Sequence, residues 1–192
     1  RESLPSYYPK KGFGEIANRI SERVKKNGGK IYTSLEANEI ILNSNNTFNV
    51  KAKDKNFLGD FVISTIPLNK VITKIKPLHE QEIINSAEKL EYLSLVLLYL
   101  IIKKKNVLGC QYCYFLDRPY NRISEMNNFS NYLSPQNENI LAVEISCQNE
   151  SEIWKSSDKE IFSICMQGIG KDNFLKKEDI INYKVIKVPS VY

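Results

Sequence analysis

The chain has a single histidine, His79, among its 192 residues. That scarcity argues against His-rich metal centres, H-E-x-x-H chemistry and a nucleophile–histidine triad, each of which needs an imidazole at a set place. His79 follows Pro77 at an expected helix start and reads as an exposed helix-terminal side chain. Long apolar stretches are also missing. The longest, Leu93 to Ile102 with Ser94 and Tyr99 inside it, is about half of the roughly 20 residues that span a bilayer, so it reads as a buried strand. A basic stripe is lacking too: 27 basic and 22 acidic residues give a net charge of +5, and Lys103-Lys104-Lys105 is the one marked cluster. Nucleic-acid readers concentrate basic charge on one face among stacking aromatics, so nucleic acid is not the expected partner. The four cysteines come without a cleavable apolar leader, which favours a reducing, cytoplasmic setting over a disulfide framework. The Arg1-Glu2 start is expected to belong to an excised segment.

What is present is enough apolar residue for a sizeable core, 42% of the chain. Glu15 to Lys26 places Ile16, Ile20 and Val24 on one helical stripe, and Gly28-Gly29 ends it. Lys30 to Thr33 reads as a short strand. Ala37 to Leu42 and Thr47 to Ala52 flank the turn-forming Asn43-Ser44-Asn45-Asn46 as a hairpin. A second turn at Asp54 to Asn56 leads to Phe61 to Ile66, whose continuous Val and Ile content predicts a strand buried on both faces and closed by Pro67. Leu68 to Lys76 runs into a helix around Glu80 to Lys89.

Beyond it, Leu93 to Ile102, Gln111 to Leu116, Arg122 to Asn127 and Ile140 to Cys147 predict one mostly antiparallel sheet. Ser157 and Glu160 have capping-box spacing for a helix reaching about Gly168, and Tyr183 to Val188 is a last strand. The expected class is α+β, with a partial dinucleotide-domain segment over residues 1–67 and a second domain over 68–192.

Three motifs bear on chemistry. Gly12-Phe13-Gly14-Glu15-Ile16-Ala17 matches G-x-G-x-x-A, with Glu36 at the distance of a ribose-binding acid. The fingerprint counts only directly after a buried strand, and Pro5-Ser6-Tyr7-Tyr8-Pro9-Lys10-Lys11 is not one, so the glycines read as a helix entry. Cys110 and Cys113 form a lone C-x-x-C without a second ligand pair or a helix start, and read as structural cysteines. Strand alternation puts Arg122, Ser124 and Met126 on one face and Ile123, Glu125 and Asn127 on the other. A carboxylate beside an amide is able to line a polar ligand cavity; a solvated face, or an ion pair from Glu125 to Arg122 or Arg118, is the structural alternative.

The run Tyr8-Pro9-Lys10-Lys11-Gly12-Phe13-Gly14, the amphipathic helix, Gly28-Gly29-Lys30-Ile31, Ala37-Asn38-Glu39-Ile40 and Asp60-Phe61-Val62-Ile63-Ser64-Thr65-Ile66-Pro67 together resemble the middle of FAD-dependent amine-oxidase-type flavoproteins. That superfamily includes protoporphyrinogen oxidases, phytoene desaturases and, more distantly, UDP-galactopyranose mutases. Asn121 to Ser130 and Val188 to Tyr192 are similar to protoporphyrinogen-oxidase-like members. Lys11 departs from the pattern, standing where the family has the first glycine of a pair.

The resemblance implies that Ala37 meets the FAD adenine through its backbone and that Thr65 and Pro67 mark the crossover beside the adenosine. Residues 68–192 become a substrate domain, with Glu125 and Asn127 facing the flavin pocket, Arg122 beside them and a small molecule as substrate. It further implies an oxidoreductase fragment that is inactive alone, because the strand and glycines that anchor the pyrophosphate are not among these residues. The alternatives are a UDP-galactopyranose mutase-like fragment, which requires a basic pocket for a nucleotide diphosphate, and a non-enzymatic interaction domain using a sheet edge.

Overall fold

The computed structural model describes residues 7–77 and 80–191, so His79 and Tyr192 lie outside the described residues. Helix α1 (Gly14–Lys26) forms where expected, with Gly12 at φ 89° before it and Gly28 at φ 83° after it. Both glycines occupy left-handed backbone that a Cβ would strain. The amphipathic stripe of α1 is not buried: Ile16, Ile20 and Val24 are all exposed.

Two compact units divide the chain, one of residues 28–91 and one combining the N-terminal segment through Asn27 with residues 92 onward. In the first unit, β1 (Glu39–Leu42), β2 (Phe48–Ala52) and β3 (Lys55–Gly59) form an antiparallel meander. Asn46 at φ 61° makes the first turn, and Asn45 Oδ1 accepts from the Thr47 hydroxyl at 2.7 Å, so the asparagine cluster acts as the sequence predicts. After α2 (Leu68–Ile72), the two-residue β4 (Ile75–Lys76) pairs in parallel with β1, and α3 (Gln81–Glu88) follows.

Two expected strands are absent. Phe61 to Ile66 is irregular and exposed, Phe61 at 88% and Ile63 at 91%, because the tighter turn at Lys53-Asp54 gives the third place in the meander to Lys55–Gly59. No ladder within this unit then pairs its amides. Lys30 to Thr33 is also irregular; Tyr32 packs against Phe57 at 5.0 Å instead.

The second unit is built on β5 (Ser94–Ile102), β6 (Tyr112–Tyr114), β7 (Arg122–Glu125) and β8 (Asn139–Cys147). Next come the one-turn α4 (Glu152–Lys155), α5 (Asp158–Asp172) and β9 (Ile180–Val188). Its sheet order is β6-β7-β8-β5-β9, antiparallel throughout, which bears out the expected sheet and makes the fold α+β. On β5 every second residue from Ser94 to Ile102 is buried, and Val96, Leu98, Leu100 and Ile102 join Leu141, Val143, Ile161, Cys165 and Ile169 in one core between sheet and α5. Burial of this kind stabilises by about 25 cal/mol per Å² of apolar surface. The Ser157–Glu160 capping box is present, with the Ser157 amide donating to Glu160 at 2.7 Å. Burial pushes the Cys165 thiol up to about 12 and keeps it an inert core group.

At the far end of α5, Arg118 donates from Nη2 and Nε to Asp172 at 2.5 and 3.1 Å, fastening the segment before β7 to the helix C-terminus. Gly168 allows this approach: a Cβ there would lie 2.8 Å from the Tyr120 ring and 3.0 Å from Pro119. Gly168→Ala is therefore expected to destabilise the unit by about 2 kcal/mol, measured by urea denaturation; an unchanged midpoint would show that the ring moves aside freely.

The Arg118 guanidinium holds the Asp172 carboxyl below its ordinary value. The stability it contributes is fully present above the unfolded aspartate value of about 3.9 and is lost as pH falls through the lower folded value. Asp172→Asn should thus be less stable than wild type at neutral pH and approach it in acid, as read by thermal melts across pH 2 to 7.

Candidate functional site

The two faces of the five-stranded sheet differ. One is covered by α5; the other carries two cross-strand rows set directly by the register. The first row is Tyr114, Arg122, Glu144, Leu97 and Ile186; the second is Tyr112, Ser124, Ala142, Tyr99 and Lys184. Directly opposite residues on antiparallel strands sit with Cβ atoms about 5 Å apart, so each row is a line of touching side chains.

Arg122 is the centre of this open face. Its Nε and Nη2 donate to the two Glu144 carboxylate oxygens at 2.9 and 2.8 Å, and Nη1 donates to the Tyr114 hydroxyl at 3.3 Å. The guanidinium also lies over the rings of Tyr112 and Tyr114, 5.6 and 5.7 Å from their centres. A bidentate pair with two ring faces fixes the guanidinium plane, which a lysine could not reproduce. From Tyr112 the aromatic surface continues through Phe129 at 6.4 Å and Tyr8 at 5.0 Å to Phe13 at 5.2 Å. Ser124 and Ala142, both small, separate the Tyr112 and Tyr99 positions. Burial, and then the Glu144 charge, raise the Tyr99 phenol above its ordinary value, so it is a neutral hydrogen-bonding group at physiological pH.

The expected substrate-side trio does not come together. Arg122 is on the open face, but Glu125 is three residues on, so alternation sends it to the covered face, where it is fully buried. Its carboxylate accepts from the Val107 and Leu108 amides at 2.9 and 2.7 Å and from Asn139 Nδ2 at 2.6 Å. The expectation that Glu125 faces an open ligand cavity is therefore corrected: it clamps the 103–110 loop. Nor does it pair with an arginine, since Arg122 holds Glu144 and Arg118 holds Asp172. The strand ends at Glu125, and Asn127 sits in a one-turn 3-10 helix, Met126–Asn128, where it donates to the Glu138 carbonyl at 3.1 Å and accepts from the Ser134 hydroxyl.

Glu144, Tyr99, Tyr112 and Tyr114 are the site residues that sequence reasoning passed over. The signal for Glu144 was its position as the lone charge inside the apolar strand Ile140 to Cys147.

The cofactor-side candidates all belong to the other unit: Ala37 is half-buried just before β1, Thr65 is exposed, and Pro67 opens α2. None carries a charge. The start of α1 does not suit a pyrophosphate. Glu15 brings its own carboxylate to the Lys11 amide at 3.4 Å, and the Gly12, Glu15 and Ile16 amides are bonded to Pro9, Gly12 and Phe13 carbonyls. The helix-entry reading of the glycines thus agrees with the geometry.

Over residues 2–181 the chain matches the family model for flavin containing amine oxidoreductases. It belongs to that family. Among solved structures, this flavin amine oxidoreductase chain is similar to a reduced UDP-galactopyranose mutase, with a TM-score of 0.78 and 21% identity, covering 96% of this chain and 41% of that one. An oxidoreductase from Methanosarcina mazei aligns with a TM-score of 0.72 and 14% identity, over 92% and 42% of the two chains. A putrescine oxidase bound to putrescine aligns with a TM-score of 0.66 and 10% identity, over 91% and 38%. At these identities the likeness establishes the fold. The chain spans about two fifths of the length of these structures. No curated protein matches it. Among the described residues no helix is long and apolar enough to cross a membrane.

Glu125→Ala leaves two loop amides and the Asn139 amide without their acceptor and is expected to cost about 3 kcal/mol. Glu125→Gln, which keeps one acceptor oxygen, should cost less. Arg122→Ala, on the open face, should cost about 1 kcal/mol. Denaturation midpoints give the order, and equal losses at positions 122 and 125 would contradict the clamp.

Proposed function

We propose that the chain supplies the substrate-facing sheet and the adenosine-side segment of an FAD-dependent oxidoreductase acting on a small molecule. The observation that carries this reading is the open sheet face, on which an immobilised guanidinium, a neutral phenol and two exposed tyrosines surround small residues, in a chain of a flavin-containing family. FAD, when bound, accepts the electrons removed from the substrate. The chain's own part is to bind and orient: Glu144 and Tyr114 fix the Arg122 plane, and Tyr112 and Tyr99 flank the buried Ser124 and Ala142 on the same face. Ala37, Thr65 and Pro67 serve the adenosine end.

The exposed stripe of α1 and the exposed run Phe61 to Ile66 support a larger protein around this chain, since soluble proteins rarely leave such patches open. A mutase-like role ranks lower. It needs cations for a nucleotide diphosphate, and of the two on this face Arg122 is spent on Glu144, which leaves Lys184 beside Tyr99.

Titrating the purified 192-residue chain with FAD tests the division of labour. The expected result is weak or no binding, an unshifted flavin spectrum and no turnover, because pyrophosphate-binding amides are lacking at α1. A stoichiometric complex with a shifted spectrum would overturn it.

A further inference from the structure

Cys110 and Cys113 play no part in the reading above, yet they are the chain's one pair of touching thiols among the described residues. Their Sγ atoms lie 3.1 Å apart, both are free and both are partly exposed, whereas Cys147 and Cys165 are buried. The contact is held from both sides. Cys113 is fixed on β6 opposite Ile123, and the Cys110 carbonyl accepts from Asn128 Nδ2 at 2.8 Å, while the loop behind them is clamped to Glu125. No third metal-ligating side chain joins them among the described residues, so the pair is a dithiol and not a metal centre.

We propose that Cys110 and Cys113 form a reversible redox-modification site whose reactants are low-molecular-weight disulfides. One cysteine, as its thiolate, attacks a sulfur of the small disulfide; that S–S bond breaks, one small thiolate leaves, and a mixed disulfide forms. The second cysteine gives up its proton and attacks the first cysteine's sulfur, releasing the other small thiol. Two cysteine thiols are thereby oxidised to one S–S bond, and the reagent takes up the two electrons and two protons as two thiols. Because the sulfurs already touch, the second step needs little movement and the mixed disulfide does not accumulate. Closure ties the 107–110 loop to β6, the strand that holds Tyr112 and Tyr114 against Arg122, so the oxidation state of the pair sets how firmly the rim of the open face is held.

The test is incubation of the native chain with oxidised glutathione, followed by intact-mass and peptide mapping. The expected product has lost two hydrogens, carries no glutathione, shows both cysteines protected from alkylation within their shared tryptic peptide, and returns to the starting mass with dithiothreitol. Cys113→Ser should instead retain one glutathione on Cys110, which also shows that the variant is folded enough to present that thiol. A stable glutathione adduct on the wild-type pair, an unmodified wild type, or a link to Cys147 or Cys165 would each overturn the proposal.

Discussion

The alternation of β5 is the constraint on which the second unit depends. Nine residues long and paired on both sides, the strand sends Val96, Leu98, Leu100 and Ile102 under α5 and thereby commits Leu95, Leu97, Tyr99 and Ile101 to the opposite face. A slip of one residue would exchange the two sets, exposing the core and burying Tyr99. Because β8 and β7 are locked to β5 in register, the same constraint places Glu144 and then Arg122 on the open side. The open face is the geometric complement of the core.

That complementarity explains why the two carboxylates of the central strands have opposite fates. Glu144 lies on the open side and orders a guanidinium. Glu125 lies on the covered side, where a buried carboxylate persists only if its oxygens are satisfied, and two loop amides with Asn139 do so. The price of burying it is returned as a fixed loop, which in turn holds β6 and its tyrosines at the sheet edge.

The first unit has a different balance. Its meander is specified locally by the asparagine turn, but among the described residues its buried apolar side chains are few: Ile40, Ala52, Val71 and Ala87. Large apolar groups along Phe61 to Ile66 stay in solvent, as do those of α1.

The sequence by itself determined several features that rest on near neighbours. The α1 stripe with its terminal glycines, the Asn43–Asn46 hairpin, the capping box at Ser157 and the antiparallel strands all follow from residues a few positions apart. The family resemblance, drawn from motifs spread over the chain, was legible as well. Tertiary structure alone decided which face was open, because periodicity names two faces without saying which one a helix covers. It set Arg122 against Glu144, 22 positions apart, brought Cys110 into contact with Cys113, and left Phe61 to Ile66 unpaired after a turn two residues earlier gave Lys55–Gly59 its place. Strand content follows from composition, but a strand exists only where another backbone meets its amides, and that is a property of the assembled fold.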